Sequence, residues 1–246
     1  MTPRPTGRSD CPAGCEAVVT AGTIVLLRHG RTAYNAAMRL QGQIDIPLDE
    51  VGRWQAAEGA SALIASHRAA RIVSSDLVRA VDTANAYAAL VGAAVETDVR
   101  LRERAFGDWE GLTPPEMAAG WPAEREEWRR GGEPQGIGAE TKVAVADRMV
   151  TAVLEHAEPL GSDECLVVVS HGAAISLAIT GLLGLDAGGW RGISGVNNVH
   201  WSHLHRSAPG AVPGWRLVAH NVGAGYPLDR WQAGPHADLE PEPKSA

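Results

Sequence analysis

Lysine is almost missing from this chain of 246 residues: of its 22 lysines and arginines, only Lys142 and Lys244 are lysines. No basic stripe runs along the sequence, and the formal net charge is −7. Both features exclude a general nucleic-acid binder, which needs clustered cations against a phosphate backbone. They do not exclude a small anionic substrate, because a few arginines can focus positive potential inside an acidic protein. Cysteine is also scarce. Cys11, Cys15 and Cys165 build no disulfide framework, and the CxxxC spacing of the first two lacks the second pair a metal site would need. Cys165 opens an apolar run and reads as a core thiol; an odd cysteine count fits a reducing compartment. No apolar stretch reaches the roughly 20 residues of a membrane span, and no apolar segment of signal-peptide type follows the Pro/Gly-rich opening. The expectation is a soluble, cytoplasmic protein, without internal repeats.

What is present alternates. Residues 1–21 read as a disordered head and 235–246 as a disordered tail, both rich in Pro and small polar residues. Between them, 22–234 reads as a single domain. Thr23–Arg28, Arg71–Ser74 and Cys165–Val169 are short apolar β-branched runs, the mark of buried parallel strands, and Val95–Val99 is a further strand. Helical spacing recurs over Leu48–His67, Leu77–Val91, Thr141–His156 and Ala173–Leu183. Asn198–His205 and Trp215–His220 alternate like two strands joined by a Pro/Gly turn. The segment 107–138 reads as an irregular lid or insertion. Strands interleaved with helices predict a three-layer α/β/α sandwich, its mostly parallel central sheet covered on both faces.

In such sheets ligands bind beyond the carboxyl ends of the strands. The first strand ends in Arg28-His29-Gly30, and the Cys165 strand in Ser170-His171-Gly172. Arg79 opens the helix after the second strand, and Glu103 follows the third. Two arginines, two histidines and a carboxylate thus arrive at one rim. That set suits phosphoryl transfer, in which catalysis is mostly positioning and charge stabilisation. Arg28 and Arg79 can fork onto phosphate oxygens. His29 offers a neutral imidazole nitrogen as nucleophile near pH 7, with a protonatable His171 beside it. Glu103 can protonate the leaving alkoxide and then take a proton from water. No metal and no other cofactor is called for.

Leu27-Arg28-His29-Gly30-Arg31-Thr32 with Asn35 resembles the RHGxTxxN signature of the histidine phosphatase superfamily, the phosphoglycerate mutase-like proteins. Ser74-Ser75-Asp76-Leu77-Val78-Arg79-Ala80, Leu101-Arg102-Glu103 with Gly107-Asp108-Trp109-Glu110-Gly111, and Ser170-His171-Gly172 resemble that family's later blocks, in its order. The resemblance covers about 22–222. It implies a phosphoglycerate mutase-like fold and a phosphohistidine on His29. It further implies that Arg28, Arg79 and His171 hold the phosphoryl group, that Glu103 donates the proton, and that Asn35 binds phosphate. Gln41, Gly42 and Gly172 are expected at the substrate, and Asn198 resembles a family asparagine near the pocket. The implied partner is a small phosphorylated sugar or glycerate, glycosylated glycerates included, with a homodimer as the one protein partner admitted.

Three functions are weighed. Cofactor-dependent mutases of the family follow the acid with Arg-His-Tyr-Gly; this chain has Arg104-Ala105-Phe106-Gly107 and reads as a phosphatase instead. An inactive phosphate-binding module would be free to lose any member of a set that is intact here. For the acid, Asp76, Asp108 and Glu110 are rivals of Glu103. His200, His203 and His205 lack the carboxylate neighbours of a zinc site. Trp109 and Trp121 are the tryptophans expected to touch substrate.

Overall fold

The structure, a computed structural model, describes residues 20–235; Cys11, Cys15, and all but the edges of the expected head and tail lie outside the described residues. Six strands, β1 (Thr23–Arg28), β2 (Arg71–Ser74), β3 (Val95–Thr97), β4 (Cys165–Ser170), β5 (Trp201–Arg206) and β6 (Trp215–Val222), form one sheet. Its order is β3-β2-β4-β1-β5-β6. The first four in that order run parallel, and β5 is antiparallel to both its neighbours. The expected sandwich is the observed one.

Side chains alternate across a strand, and β1 shows what that does here. Ile24 and Leu26 join Leu166, Val168 and Val73 in one core against helices α6 (Lys142–Ala157) and α7 (Gly172–Leu182). Val25 and Leu27 join Val167, Val169 and Ile72 in a second core against α2 (Glu50–Ser66) and α3 (Val78–Val91). Each fully buried Leu or Ile contributes about 1.5–3 kcal/mol. A third, smaller cluster of Phe106, Trp109, Met117 and Ile137 lies under a helical hairpin, α4 (Pro114–Gly120) and α5 (Pro122–Arg130).

That hairpin corrects the expectation of an irregular 107–138. Its prolines and glycines punctuate helices rather than prevent them. Thr113 and Glu116 form a capping box that brackets Pro114, Pro122 opens α5, and Gly131 closes it in the left-handed conformation, the positions where Pro and Gly suit a helix. Two short helices escaped the sequence reading as well, α1 (Ala33–Ala36) and α8 (Leu228–Ala233). Ala21, the last residue of the expected head, is buried and its N–H donates to the Ala157 carbonyl. Strand β3 stops at Thr97 because Asp98 turns the chain, its carboxylate accepting from the Arg100 N–H. No helix among the described residues is long and apolar enough to cross a membrane.

The loop after β1 is set down on the start of α2. Asp49 caps that helix, its carboxylate accepting from the Gly52 N–H at 2.7 Å. A Cβ on Gly52 would lie 2.0 Å from the Arg31 carbonyl oxygen, so helix and loop meet backbone to backbone. Gly52→Ala is therefore expected to destabilise the protein by about 1–3 kcal/mol, the usual cost of overpacking. Urea unfolding checks it; an unchanged midpoint would mean that the loop is not seated on the helix.

Candidate active site

Strand register alone explains why two histidines meet. Arg28 pairs with Ser170 across β1 and β4, so His29 and His171 leave adjacent parallel strands at the same level. Their ring centroids are 5.1 Å apart. Arg79 arrives from α3, which is tied to the same loop by Thr83. The Thr83 hydroxyl accepts from the Gly30 N–H at 3.0 Å and donates to the Arg79 carbonyl at 2.7 Å. Glu103 comes from the turn after β3. Arg148 on α6 fixes that turn by donating to the carbonyls of Arg100, Arg102 and Glu103 at 2.6, 2.7 and 3.0 Å.

A cavity of about 110 Å³ has Arg28, His29, Asn35, Gln41, Arg79 and Glu103 in its wall; His171 is fully buried against the His29 ring and is not itself a wall residue. His29 is buried, and its Nδ1 lies 2.7 Å from the Gly30 carbonyl oxygen. A carbonyl only accepts, so Nδ1 carries the proton and Nε2 keeps a lone pair. Arg28 donates to the Val196 carbonyl at 2.7 Å. Arg79, fully buried, donates to the carbonyls of Gly42 and Ile44, each at 2.8 Å. Nε of Arg28, Nε of Arg79 and both ring nitrogens of His171 are buried without a hydrogen-bond partner among the described residues. An unpaired buried polar group costs about 1–3 kcal/mol, and here four such nitrogens gather on residues around His29. The lining is complementary to an anion that brings oxygen acceptors.

Burial is the main force on these groups. It pushes the His29 imidazole well below its ordinary value, with Arg28 and Arg79 adding to the effect and the Gly30 hydrogen bond opposing it. His171 is pushed down in the same way, by burial first and then by Arg79, His29 and Arg28. Burial lowers Arg79 to about 10 against the pull of Glu103 and Asp45, so it stays a cation at neutral pH. Arg28 is lowered by burial too, with Glu103 opposing.

Glu103 stands at the N-terminus of α7. Its Oε1 accepts from the N–H groups of Arg104 and Ala174 at 2.8 and 2.9 Å, and its Oε2 from that of Ala173 at 3.2 Å. A helix N-terminus is a natural seat for a carboxylate. The rival acids are otherwise employed. Asp76 is held by the Arg102 guanidinium at 2.7 and 2.5 Å, and Glu110 accepts from the N–H groups of Gln43 and Phe106, each at 3.0 Å. Asp108 is exposed and outside the cavity wall.

The remaining expected residues divide. Asn35 and Gln41 line the cavity, both linked to Thr32: the Asn35 Oδ1 accepts from the Thr32 N–H and the Gln41 Oε1 from its hydroxyl. Gly42 also lines it, its carbonyl spent on Arg79. Gly172 begins α7 beside the Arg28 guanidinium, 3.6 Å from where its Cβ would be. Asn198 does not form part of the wall. It is buried behind the wall, its Nδ2 donating to the His29 carbonyl at 3.0 Å and toward Asn35 Oδ1 at 3.3 Å. Trp109 is corrected also: it is fully buried in the hairpin cluster, against which Trp121 packs. Phe106 is the aromatic in the wall instead, with Arg39 and Leu40. Nothing in the sequence singled out Arg148 or Thr83, because one arginine or threonine on a helix carries no local signature.

No group of three or more His, Cys, Asp or Glu among the described residues is placed to hold a metal ion. His203 lies between His67 and His205, with ring centroids 4.7 and 5.5 Å away; burial first, and its two neighbours, lower His67.

Histidines held neutral by the fold make stability depend on pH. The unfolded chain takes up protons as pH falls through about 6.5, while folded His29 and His171 do not. Stability is therefore full above that range and falls below it, by about 1.4 kcal/mol per pH unit for each such histidine until its folded value is reached. Melting curves between pH 8 and 5 check this, and His171→Gln is expected to flatten the slope. A melting temperature that rises on acidification would contradict it.

The chain is similar to known proteins over most of its length. The sequence profile of the histidine phosphatase superfamily (branch 1) matches residues 24–222. A glucosyl-3-phosphoglycerate phosphatase of Mycolicibacterium vanbaalenii is 41% identical over 214 residues, covering 82% of this chain and 95% of that protein. That of Mycobacterium tuberculosis is 40% identical over 215 residues, 83% of this chain and 96% of its own. A solved mycobacterial glucosyl-3-phosphoglycerate phosphatase in complex with VO3 superposes with a TM-score of 0.73 at 38% identity, covering 82% of this chain and 99% of that one.

Proposed function

The chain belongs to the histidine phosphatase superfamily (branch 1) and is a phosphomonoester hydrolase; on that premise we propose that it dephosphorylates glucosyl-3-phosphoglycerate through a phosphohistidine on His29. One observation carries the chemistry. The His29 ring is held by its Gly30 hydrogen bond in the tautomer with a free Nε2, next to a buried set of unpaired cationic and imidazole nitrogens. The substrate assignment is supported by the mycobacterial enzymes of that name, which match most of this chain.

The Nε2 lone pair attacks phosphorus, the P–O ester bond breaks, and Glu103, carrying the proton in this half, gives it to the departing alkoxide. Water then attacks phosphorus and passes a proton to Glu103, the P–N bond breaks, and inorganic phosphate leaves with His29 restored. Arg28 and Arg79 neutralise the oxygens throughout. Burial first, and then the neighbouring Arg79 and Arg28, keep His171 neutral in the free enzyme; a bound dianion opposes the guanidinium field, favours the imidazolium and so turns it into a third donor. Two guanidiniums and an imidazolium supply the charge, so no metal enters. Every group comes from one chain, and a homodimer is not needed. The Arg104-Ala105-Phe106-Gly107 sequence, without the His-Tyr of the mutases, argues for release of phosphate to water. On the same reading the enzyme is cytoplasmic, with Cys165 a buried free thiol.

His29→Ala is expected to abolish turnover. Glu103→Gln is expected to slow alkyl phosphates about 100-fold or more, the usual worth of a general acid, and p-nitrophenyl phosphate much less, since a nitrophenolate leaves unprotonated. Equal losses across leaving groups would remove Glu103 from the acid role. For the substrate, kcat/KM across sugar phosphates, phosphoglycerates and glucosyl-3-phosphoglycerate is expected to be highest for the last; a flat profile would overturn the assignment.

A further inference from the structure

The cavity at His29, at about 110 Å³, has the volume of roughly four liquid waters. It holds a phosphoryl group and its ester oxygen and little more. The rest of a large leaving group must continue outward from the oxygen that Glu103 protonates. A second cavity of about 250 Å³ begins there. Phe106 is in the wall of both. Ala173, whose N–H donates to Glu103, is in the wall of the second.

Three cations and three aromatic rings line this second cavity: Arg104, Lys142 and Arg191, with Phe106, Trp128 and Trp190. Arg104 is buried over the Phe106 ring at 5.4 Å and spends only part of its fork, on Glu133 Oε2 at 2.5 Å and the Glu140 carbonyl at 2.7 Å. Lys142 Nζ and Arg191 Nη1 donate to the last carbonyls of α5, on Gly131 and Arg130. A Cβ on Gly131 would coincide with the Arg191 guanidinium, 1.4 Å from its Nη1, so the cation is seated flat on a glycine. Burial, then Arg104 and Arg191, lower Lys142, while Glu133 and Glu127 oppose them: three cations share this space with two carboxylates. Trp190 is 38% exposed, a flat apolar surface turned to solvent at the cavity edge.

We propose that this cavity binds the non-phosphorylated end of the substrate, a carboxylate against Arg104, Lys142 and Arg191 and a sugar ring against Trp190 and Trp128. The assignment rests on the substrate reading above and deepens it. Guanidiniums recognise carboxylates bidentately, and an indole face offers a sugar the apolar, rigid wall that polar side chains do not. The competing role for the same cations is purely structural, stapling the C-terminus of α5 to the domain.

The test compares kcat/KM for glucosyl-3-phosphoglycerate with that for p-nitrophenyl phosphate, which has neither carboxylate nor sugar, in the same preparations of wild type, Arg191→Gln, Arg191→Lys, Trp190→Ala and Trp190→Phe. The ratio is expected to fall about tenfold or more in Arg191→Gln, as for loss of a charge-assisted hydrogen bond, mainly through KM. It should also fall in Trp190→Ala and be largely restored in Trp190→Phe, while Arg191→Lys, a point charge without the fork, should recover only part of the loss. With 3-phosphoglycerate, which keeps the carboxylate but has no sugar, Arg191→Gln should still lose and Trp190→Ala should not. Ratios within twofold of wild type in all variants would overturn the proposal, as would equal loss of both activities, the signature of a staple. A wild type that does not prefer glucosyl-3-phosphoglycerate would instead refute the substrate reading, and this assignment with it.

Discussion

Parallel pairing of β1 with β4 is the constraint on which the rest depends. Because Arg28 lies opposite Ser170, the two His-Gly turns that follow have no choice but to emerge together. Everything else at the site is fastened to that pair. Thr83 ties α3 and its Arg79 to the first turn. The start of α7 presents main-chain amides to Glu103 immediately after the second. Burial of Val25, Leu27, Val167 and Val169 on one face and Ile24, Leu26, Leu166 and Val168 on the other makes a slip of register between the two strands very costly, since one residue of slip turns every side chain to the wrong face. Apolar packing thereby fixes the meeting point of four polar groups.

Burying two guanidiniums in an acidic protein carries its own penalty, which the fold meets with carbonyl oxygens rather than carboxylates. Arg79 rests on two carbonyls and Arg28 on one. Such partners hold a guanidinium in place without cancelling its charge, and the positive field stays available for a ligand. Behind the wall, a second layer keeps the loop still: Trp231 on α8 donates to the Asn198 carbonyl at 2.8 Å, and Gln55 links the Arg31 N–H to the Trp231 carbonyl at 3.0 and 2.8 Å. The short final helix thus reaches the back of the site through two residues.

Much of this was legible in the sequence. The strands announced themselves by β-branched runs, and their ends announced the chemistry, because a polar triplet such as Arg28-His29-Gly30 directly after Ile-Val-Leu-Leu has few other uses. What stayed hidden depends on long-range geometry. Asn198 and Asn35 look alike on paper, yet one faces the cavity and the other props up the His29 carbonyl. Trp109 was misplaced because exposure of an indole cannot be read from a Gly-Asp-Trp-Glu-Gly string, and that ring closes a small core of its own. The hairpin at 114–130 was missed because proline and glycine mark both loops and helix ends, and only the capping box at Thr113 and Glu116 tells them apart.

The 2.7 Å contact between His29 Nδ1 and the Gly30 carbonyl has a regiochemical consequence. For the phosphohistidine proposed on His29, only the isomer bearing phosphorus on the distal nitrogen is compatible with that contact. Its ring must also keep the proximal proton, since the carbonyl has no means to remove it. The proposed adduct would thus join a cationic ring to an anionic phosphoryl group, its imidazole would depart as a neutral molecule, and the P–N bond would be weakened by the same contact that aims the nucleophile.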